Sequence, residues 1–120
     1  MEREELNCPE LGIATKTLDE HKAEGIEVIY VADFTPFATY YVIATAPNPR
    51  ALGAYKEQLG DVFEANGIPV SVSEGTPESG WVIVQGGEVC CQLFLAANRK
   101  EIDLESLLAV HTKKPVPKAE

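Results

Sequence analysis

The segment Tyr40-Tyr41-Val42-Ile43-Ala44-Thr45 is an unbroken run of aromatic, β-branched and small residues. Turn-forming prolines flank it, with Pro36 before and Pro47 after. A strand with one solvent-facing side alternates apolar and polar residues, so a run without alternation indicates a strand buried on both faces. The sequence therefore predicts a central strand at this position.

A helical pattern follows this strand from Arg50 to Asn66, and a short strand over 68–72 comes next. Apolar residues recur at helical spacing in the segment before Asn66, and Asn66-Gly67 is a typical helix end. This order predicts a β-α-β unit whose two strands are parallel and joined by a right-handed crossover. Pro69 predicts that the second strand lies at a sheet edge or begins at that residue.

Patterns on both sides of this unit predict further elements. Gly25 is a typical helix stop, and residues 73–80, rich in Ser, Glu, Gly and Pro, predict a loop. Gly86-Gly87 between two apolar runs is a strong signal for a two-residue hairpin turn. The other predicted elements are a helix from Pro9 to about Glu24, a strand over 26–31, hairpin strands over 81–85 and 88–94, and a last helix capped by Asp103 that runs through Leu108.

Length and composition indicate one soluble domain, and the order of the predicted elements indicates a mixed α/β fold with about three helices. The chain has 120 residues, of which 45% are hydrophobic and 24% charged, and this is enough to bury a core. We place the domain at residues 9–110, with 1–8 as a frayed N-terminus and 111–120 as a flexible tail.

Three features of the sequence indicate where the protein works. No apolar run is long enough to cross a membrane, and the acidic N-terminal segment lacks the basic start of a signal peptide. The three cysteines are an odd, unpatterned set, which is typical of a reducing compartment. A cytoplasmic protein without membrane contact is expected.

The net charge of −9 bears on the kind of partner. Because an acidic protein is repelled by phosphate backbones, autonomous binding of DNA or RNA is disfavoured. The most negative segment is 1–27, and a basic protein would be a natural partner. Solubility alone explains the acidity equally well.

The predicted hairpin sorts its residues into two faces. If Gly86-Gly87 forms the turn, Gln85 pairs with Glu88 and Trp81 with Gln92, and successive pairs alternate between faces. One face is an apolar core surface formed by Val82, Val84, Val89, Cys91 and Leu93. The other is a mixed surface with the one tryptophan of the chain, formed by Trp81, Ile83, Gln85, Glu88, Cys90 and Gln92.

An aromatic anchor within a polar rim has the anatomy of a protein-binding face. The alternative is that the last helix folds over Trp81 with Leu104, Leu107 and Leu108, which would make the tryptophan part of the core.

The sequence contains no constellation of catalytic residues. It has no Gly-rich phosphate loop, no Cys-x-x-Cys and no nucleophile elbow. A metal site would need both histidines, His21 and His111, together with a ligand from another distant segment. We therefore expect no enzyme activity, no cofactor and no metal.

Three ordered segments resemble the ribosomal silencing factor (Iojap-related) family. They are LDEHKAEGIEVI at 18–29, FATYYVIAT at 37–45 with Arg50 five residues later, and SGWVIV at 79–84 followed by Gly87-Glu88-Val89, Leu93-Phe94 and DLESL at 103–107. The resemblance covers about residues 10–108, and the order of the segments is more specific than any one of them.

The resemblance implies a fold related to nucleotidyltransferases but without their catalytic acids. It implies a partner, the large ribosomal subunit, bound through its protein fourteen. Such binding blocks subunit joining and represses translation under nutrient limitation. The partner-binding residues expected on this basis are Trp81, Ile83, Gln85, Glu88, Gln92 and Thr39. Three of them depart from the common family pattern, which has aspartate at the positions of Thr39 and Gln85 and histidine at that of Gln92.

Two other functions are compatible with the sequence. A divergent nucleotidyltransferase-like nucleotide-binding protein would need two carboxylates near the end of the central strand, where Asp33 is alone. A homodimeric scaffold could pair through the hairpin or through an edge strand.

Overall fold

Three helices and five strands form within residues 8–33 and 35–103, the parts of the chain that the computed structural model describes. In chain order they are α1 (Pro9–Glu20), β1 (Glu24–Tyr30), β2 (Tyr40–Ala46), α2 (Pro49–Ala65), β3 (Val70–Thr76), β4 (Trp81–Gly86), β5 (Val89–Leu95) and α3 (Ala96–Ile102). The predicted mixed α/β fold is confirmed.

The strands make one sheet in the order β1-β2-β5-β4-β3. β2 and β5 are parallel neighbours, and the other neighbouring pairs are antiparallel. β2 and β3 therefore run in the same direction, as predicted for the β-α-β unit, but β5 and β4 lie between them. β3 begins directly after Pro69 at a sheet edge, which confirms the prediction made from that proline.

Both faces of the sheet carry an apolar cluster. α1 and α2 pack on the inner face, whose buried strand residues are Tyr40, Val42, Ala44, Ala46, Val82, Val84, Val89, Cys91 and Leu93. The opposite face, which we call the outer face, has a smaller buried cluster of Val31, Ala38, Ile43, Cys90 and Phe94. β2 contributes to both clusters, and this confirms that its unbroken apolar run marks a strand covered on both sides.

The hairpin turn lies one residue later than predicted. Gly87-Glu88 joins β4 to β5, and Gly87 has a φ of +58°, a left-handed value that suits glycine at the first position of a tight hairpin turn. Trp81 consequently pairs with Phe94 and not with Gln92. The pairing partner of every strand residue moves by two positions, and because side chains alternate with period two, the strand residues keep their predicted faces. Glu88, predicted on the mixed face, lies in the turn instead.

Two predicted element boundaries, at the end of α1 and at the end of β3, are wrong. α1 ends at Glu20, the chain turns at Lys22 with a φ of 67°, and Gly25 already lies within β1. Tertiary contacts explain the early end: the Tyr55 hydroxyl donates to the His21 carbonyl at 2.9 Å. β3 extends through Thr76 into the predicted loop over 73–80 because it stays paired with β4 along that length.

The chain ends differ from the prediction as well. α3 was not predicted, and Asp103 ends this helix with a left-handed φ of 50°. The remainder of the predicted last helix and the tail lie outside the described residues. At the other end, Cys8 is 7% exposed, so the predicted frayed segment does not include it.

Candidate functional site

Trp81, the expected anchor, lies half-buried on the outer face at the start of β4. Its indole stacks on Phe94 of β5, with ring centroids 5.3 Å apart and an interplanar angle of 25°. Its Nε1–H donates to Oε1 of Gln92 at 3.1 Å. These contacts fix the orientation of the ring. Part of the ring remains accessible to solvent. Leu104, Leu107 and Leu108, the alternative cover, fall outside the described ranges.

Gln92 and Cys90 are not on an accessible surface, and this part of the sequence interpretation is wrong. Gln92 is 6% exposed and Cys90 is 7% exposed. Both belong to β5, the middle strand of the sheet, which is covered on both faces. The Gln92 amide accepts from Trp81 and donates to the Cys90 Sγ at 3.9 Å. Gln92 therefore helps to orient the Trp81 indole through this hydrogen bond.

A second group of predicted residues meets at the hairpin turn. The Thr39 hydroxyl donates to Oε1 of Glu88 at 2.7 Å, although the two residues are 49 positions apart. The Thr39 backbone N–H also donates to the Glu88 carbonyl, at 2.8 Å. The structure thus brings together two predicted site residues that are distant in the sequence.

Gln85 connects this group to an aromatic residue that the sequence analysis did not select. Its Nε2 donates to the backbone carbonyl of Phe37 at 2.6 Å and to that of Gly87 at 3.3 Å. The Phe37 side chain is 81% exposed, the most exposed large hydrophobic side chain of the described ranges. A signal for it existed, because a phenylalanine after Pro36 in a loop is unlike the surrounding core residues.

Glu10, in the first turn of α1, also reaches the hairpin turn. Its Oε2 accepts the Glu88 backbone N–H at 2.7 Å across a separation of 78 residues, and its side chain is 9% exposed. A Cβ at Gly87 would collide with this carboxylate. Nothing in the sequence distinguishes Glu10 from an ordinary acid in a first helical turn, so pattern analysis could not find it.

Five of the six predicted site residues therefore form two groups. Trp81 at the start of β4 contacts Gln92 of β5, whereas Thr39, which precedes β2, lies with Gln85 and Glu88 near the hairpin turn. Trp81 and Gln85 are four positions apart on β4, so the two groups are separated by about 13 Å along the strand. Half-buried Ile83 lies between the groups on the outer face, paired with Gln92.

The cysteines near the site are protected thiols. Burial raises the pKa of Cys90 to about 11, and the nearby Gln92 amide lowers it by a smaller amount. Burial, together with the Glu10 charge, raises the pKa of Cys8 to about 11. A thiol with a raised pKa is a poor nucleophile at neutral pH, so neither group is an activated catalytic residue.

Nothing in the described part of the chain supports nucleotide chemistry. Within residues 8–33 and 35–103, no three His, Cys, Asp or Glu side chains are placed to hold a metal ion. A groove of about 590 Å³ lies between α2 and β3, and its charged lining residues are the acidic Glu57, Asp61 and Glu64 and the basic Lys56. The excess of acidic groups disfavours a phosphate. No helix in the same ranges is long and apolar enough to span a membrane.

Solved structures define the class of fold. A crystal structure of a protein from Chromobacterium violaceum matches with a TM-score of 0.79 and 22% identity, covering 93% of this chain and 91% of that one. A crystal structure of a protein from Bacillus halodurans matches with a TM-score of 0.74 and 23% identity, covering 92% of this chain and 95% of that one. The described architecture is therefore an established α/β fold.

Sequence comparison then gives the family. Residues 5–120 match the profile described as "Ribosomal silencing factor during starvation". A protein of Zymomonas mobilis named Ribosomal silencing factor RsfS is 32% identical over 97 residues, which are 81% of this chain and 73% of that protein. A protein of the same name from Bacillus subtilis is 30% identical over 97 residues, 81% of this chain and 82% of the relative. The chain belongs to the ribosomal silencing factor family.

Proposed function

We propose that this protein binds the large ribosomal subunit through its protein fourteen, blocks the joining of the subunits and so represses translation when nutrients are scarce. It acts by occupying a surface, without catalysis or a cofactor, in the cytoplasm. The family match over residues 5–120 is the observation that carries this proposal. The outer face of the hairpin supplies the contact, with Trp81 as an aromatic anchor and Glu88 as part of a charged rim.

Charge complementarity supports a basic protein as the direct partner. The chain carries 19 acidic and 10 basic residues, a net charge of −9. Attraction between this acidic chain and a basic ribosomal protein would raise the association rate and favour the correct orientation. Two copies of the chain would instead repel each other, so a homodimer through the same face is the less favoured alternative.

Co-sedimentation with purified large subunits at physiological salt tests the proposal. The wild-type protein is expected to pellet with the subunits. Trp81→Ala is expected to weaken binding by a factor of about 10 or more, since truncating a central aromatic anchor typically costs about 2 kcal/mol. Glu88→Lys should weaken it as well, and more strongly at low salt, because it places a positive charge against a basic partner.

A charge reversal elsewhere provides the matched control. Glu57→Lys changes the net charge by the same amount at an exposed position of α2, far from the outer face. It should retain most of the binding. If the wild-type protein does not co-sediment at physiological salt, the proposed function is wrong; if Glu57→Lys and Glu88→Lys weaken binding equally, the contact is not at the hairpin.

A further inference from the structure

The loop between β1 and β2 displays an apolar ring to solvent. Phe37 is 81% exposed, whereas Tyr30, the other exposed large hydrophobic residue of the described ranges, is 38% exposed. Ala38, the next residue, points into the outer-face cluster and is 4% exposed. Single exposed apolar residues are common on protein surfaces, so exposure by itself does not indicate a site.

The backbone that carries this ring is fixed by hydrogen bonds. The Phe37 carbonyl accepts from Gln85 Nε2 at 2.6 Å, and the Phe37 N–H donates to the Thr35 Oγ1 at 3.2 Å. Two residues later, Thr39 bonds to Glu88 through both its backbone N–H and its hydroxyl, at 2.8 and 2.7 Å. The Val31 N–H closes the base of the loop by donating to the Thr39 carbonyl at 2.8 Å.

These bonds hold an exposed side chain that contributes little to the core. A flexible loop would lose conformational entropy on binding, whereas a loop that is already fixed loses less. The hydrogen bonds that Gln85 donates and Glu88 accepts would therefore lower the entropy cost of a contact made by Phe37. Glu10 also helps to fix Glu88, because its carboxylate accepts the Glu88 backbone N–H.

We propose that Phe37 is the apolar anchor at the turn end of the docking surface and that it inserts into an apolar pocket on a basic protein. Glu88, exposed beside the loop that it holds, would meet lysine or arginine at the rim of that pocket. The net charge of −9 favours the same kind of partner. The inference rests on the proposed function for the identity of this partner, and it adds a second anchor about one hairpin length from Trp81.

Equilibrium binding to purified large subunits tests Phe37 directly. Phe37→Ala is expected to weaken binding at least tenfold, and Phe37→Leu to weaken it less because part of the apolar contact remains. Both variants should unfold at the same temperature as the wild-type protein, since the ring is exposed. Tyr30→Ala is the matched control, an exposed aromatic residue on β1, and it should bind within twofold of the wild-type protein.

The possible outcomes separate this inference from the proposed function. If the wild-type protein binds and Phe37→Ala binds within twofold of it, Phe37 is not an anchor, and the proposed function stands. If Tyr30→Ala weakens binding as much as Phe37→Ala, the inference is also overturned, because the effect is not specific to the loop. If the wild-type protein does not bind large subunits at all, both the proposed function and this inference are wrong.

Discussion

At the scale of single residues, Glu10 joins two segments that are far apart in the sequence. Its carboxylate comes from the first turn of α1 and accepts the Glu88 N–H at 2.7 Å, 78 positions later in the sequence. It is 9% exposed, and a carboxylate removed from water requires hydrogen-bond donors. Bonds to charged groups are stronger than those between neutral groups. One side chain therefore joins the N-terminal helix to the hairpin turn.

We expect Glu10→Ala to lower the free energy of unfolding by about 1–3 kcal/mol, because it removes a charge-assisted bond and leaves the Glu88 N–H without its acceptor. Glu10→Gln retains a side-chain oxygen and should recover most of that loss. Urea denaturation measures the difference. Glu20→Ala, at an exposed position of the same helix, should change stability by less than about 0.5 kcal/mol; an equal effect from Glu10→Ala would contradict the assigned role.

At the scale of secondary-structure elements, two glycines differ in the space around them: one lies at the contact between α2 and the sheet, and the other lies at an open position of α2. Gly86 lies at the end of β4 facing fully buried Phe63, and a Cβ at Gly86 would collide with the phenyl ring. Gly86 is therefore required for packing and not, as the sequence suggested, for the turn. Gly60 lies inside α2, and nothing lies within 4 Å of the position of its Cβ.

Alanine substitutions at these two glycines should have opposite effects on thermal stability. Gly86→Ala overpacks the contact with Phe63 and is expected to destabilise the protein by about 1–3 kcal/mol. Gly60→Ala removes backbone freedom from the unfolded chain at an open helical position and is expected to stabilise it by about 0.5–1 kcal/mol. The melting temperature of each variant measures the sign. A stabilising Gly86→Ala would show that α2 does not lie as close to β4 as described.

At the scale of the whole molecule, the sheet buries thiols in both of its apolar clusters. Burial raises the pKa of Cys8 and of Cys90 from 9.0 to about 11, and it raises the pKa of fully buried Cys91 even further. The folded protein thus keeps its thiol protons at pH values where the unfolded chain has lost them. Between about pH 9 and pH 11 the unfolded state binds fewer protons than the folded state, so the free energy of unfolding falls as pH rises.

We therefore expect the thiol contribution to stability to be complete below about pH 9 and to be lost as pH rises through about 11. Chemical denaturation between pH 8 and 11 measures this slope. Cys90→Ala should make it shallower, although the variant also loses some packing. Half-buried Tyr41 and buried Tyr55 have raised pKa values as well and contribute in the same direction at the upper end of the range. A slope that Cys90→Ala does not change would contradict the prediction.

Local patterns were sufficient for much of the fold. The unbroken run at 40–45 identified a doubly covered strand, and Pro69 identified the start of an edge strand. The hairpin faces were correct although the turn was misplaced, because a two-residue error in register leaves every side chain on its side of the sheet. α3 was missed because a seven-residue helix has too few turns to show a period.

What the sequence determined by itself was which side chains point the same way, because the strand and helix periods are properties of the local backbone. What only the tertiary structure decided was which of them solvent can reach. Gln92 was expected at the surface and is buried because β5 lies in the middle of the sheet. Phe37 is presented at the surface because Gln85, 48 residues away, fixes its backbone. Burial and long-range hydrogen bonds depend on packing between distant segments, and no local pattern encodes that packing.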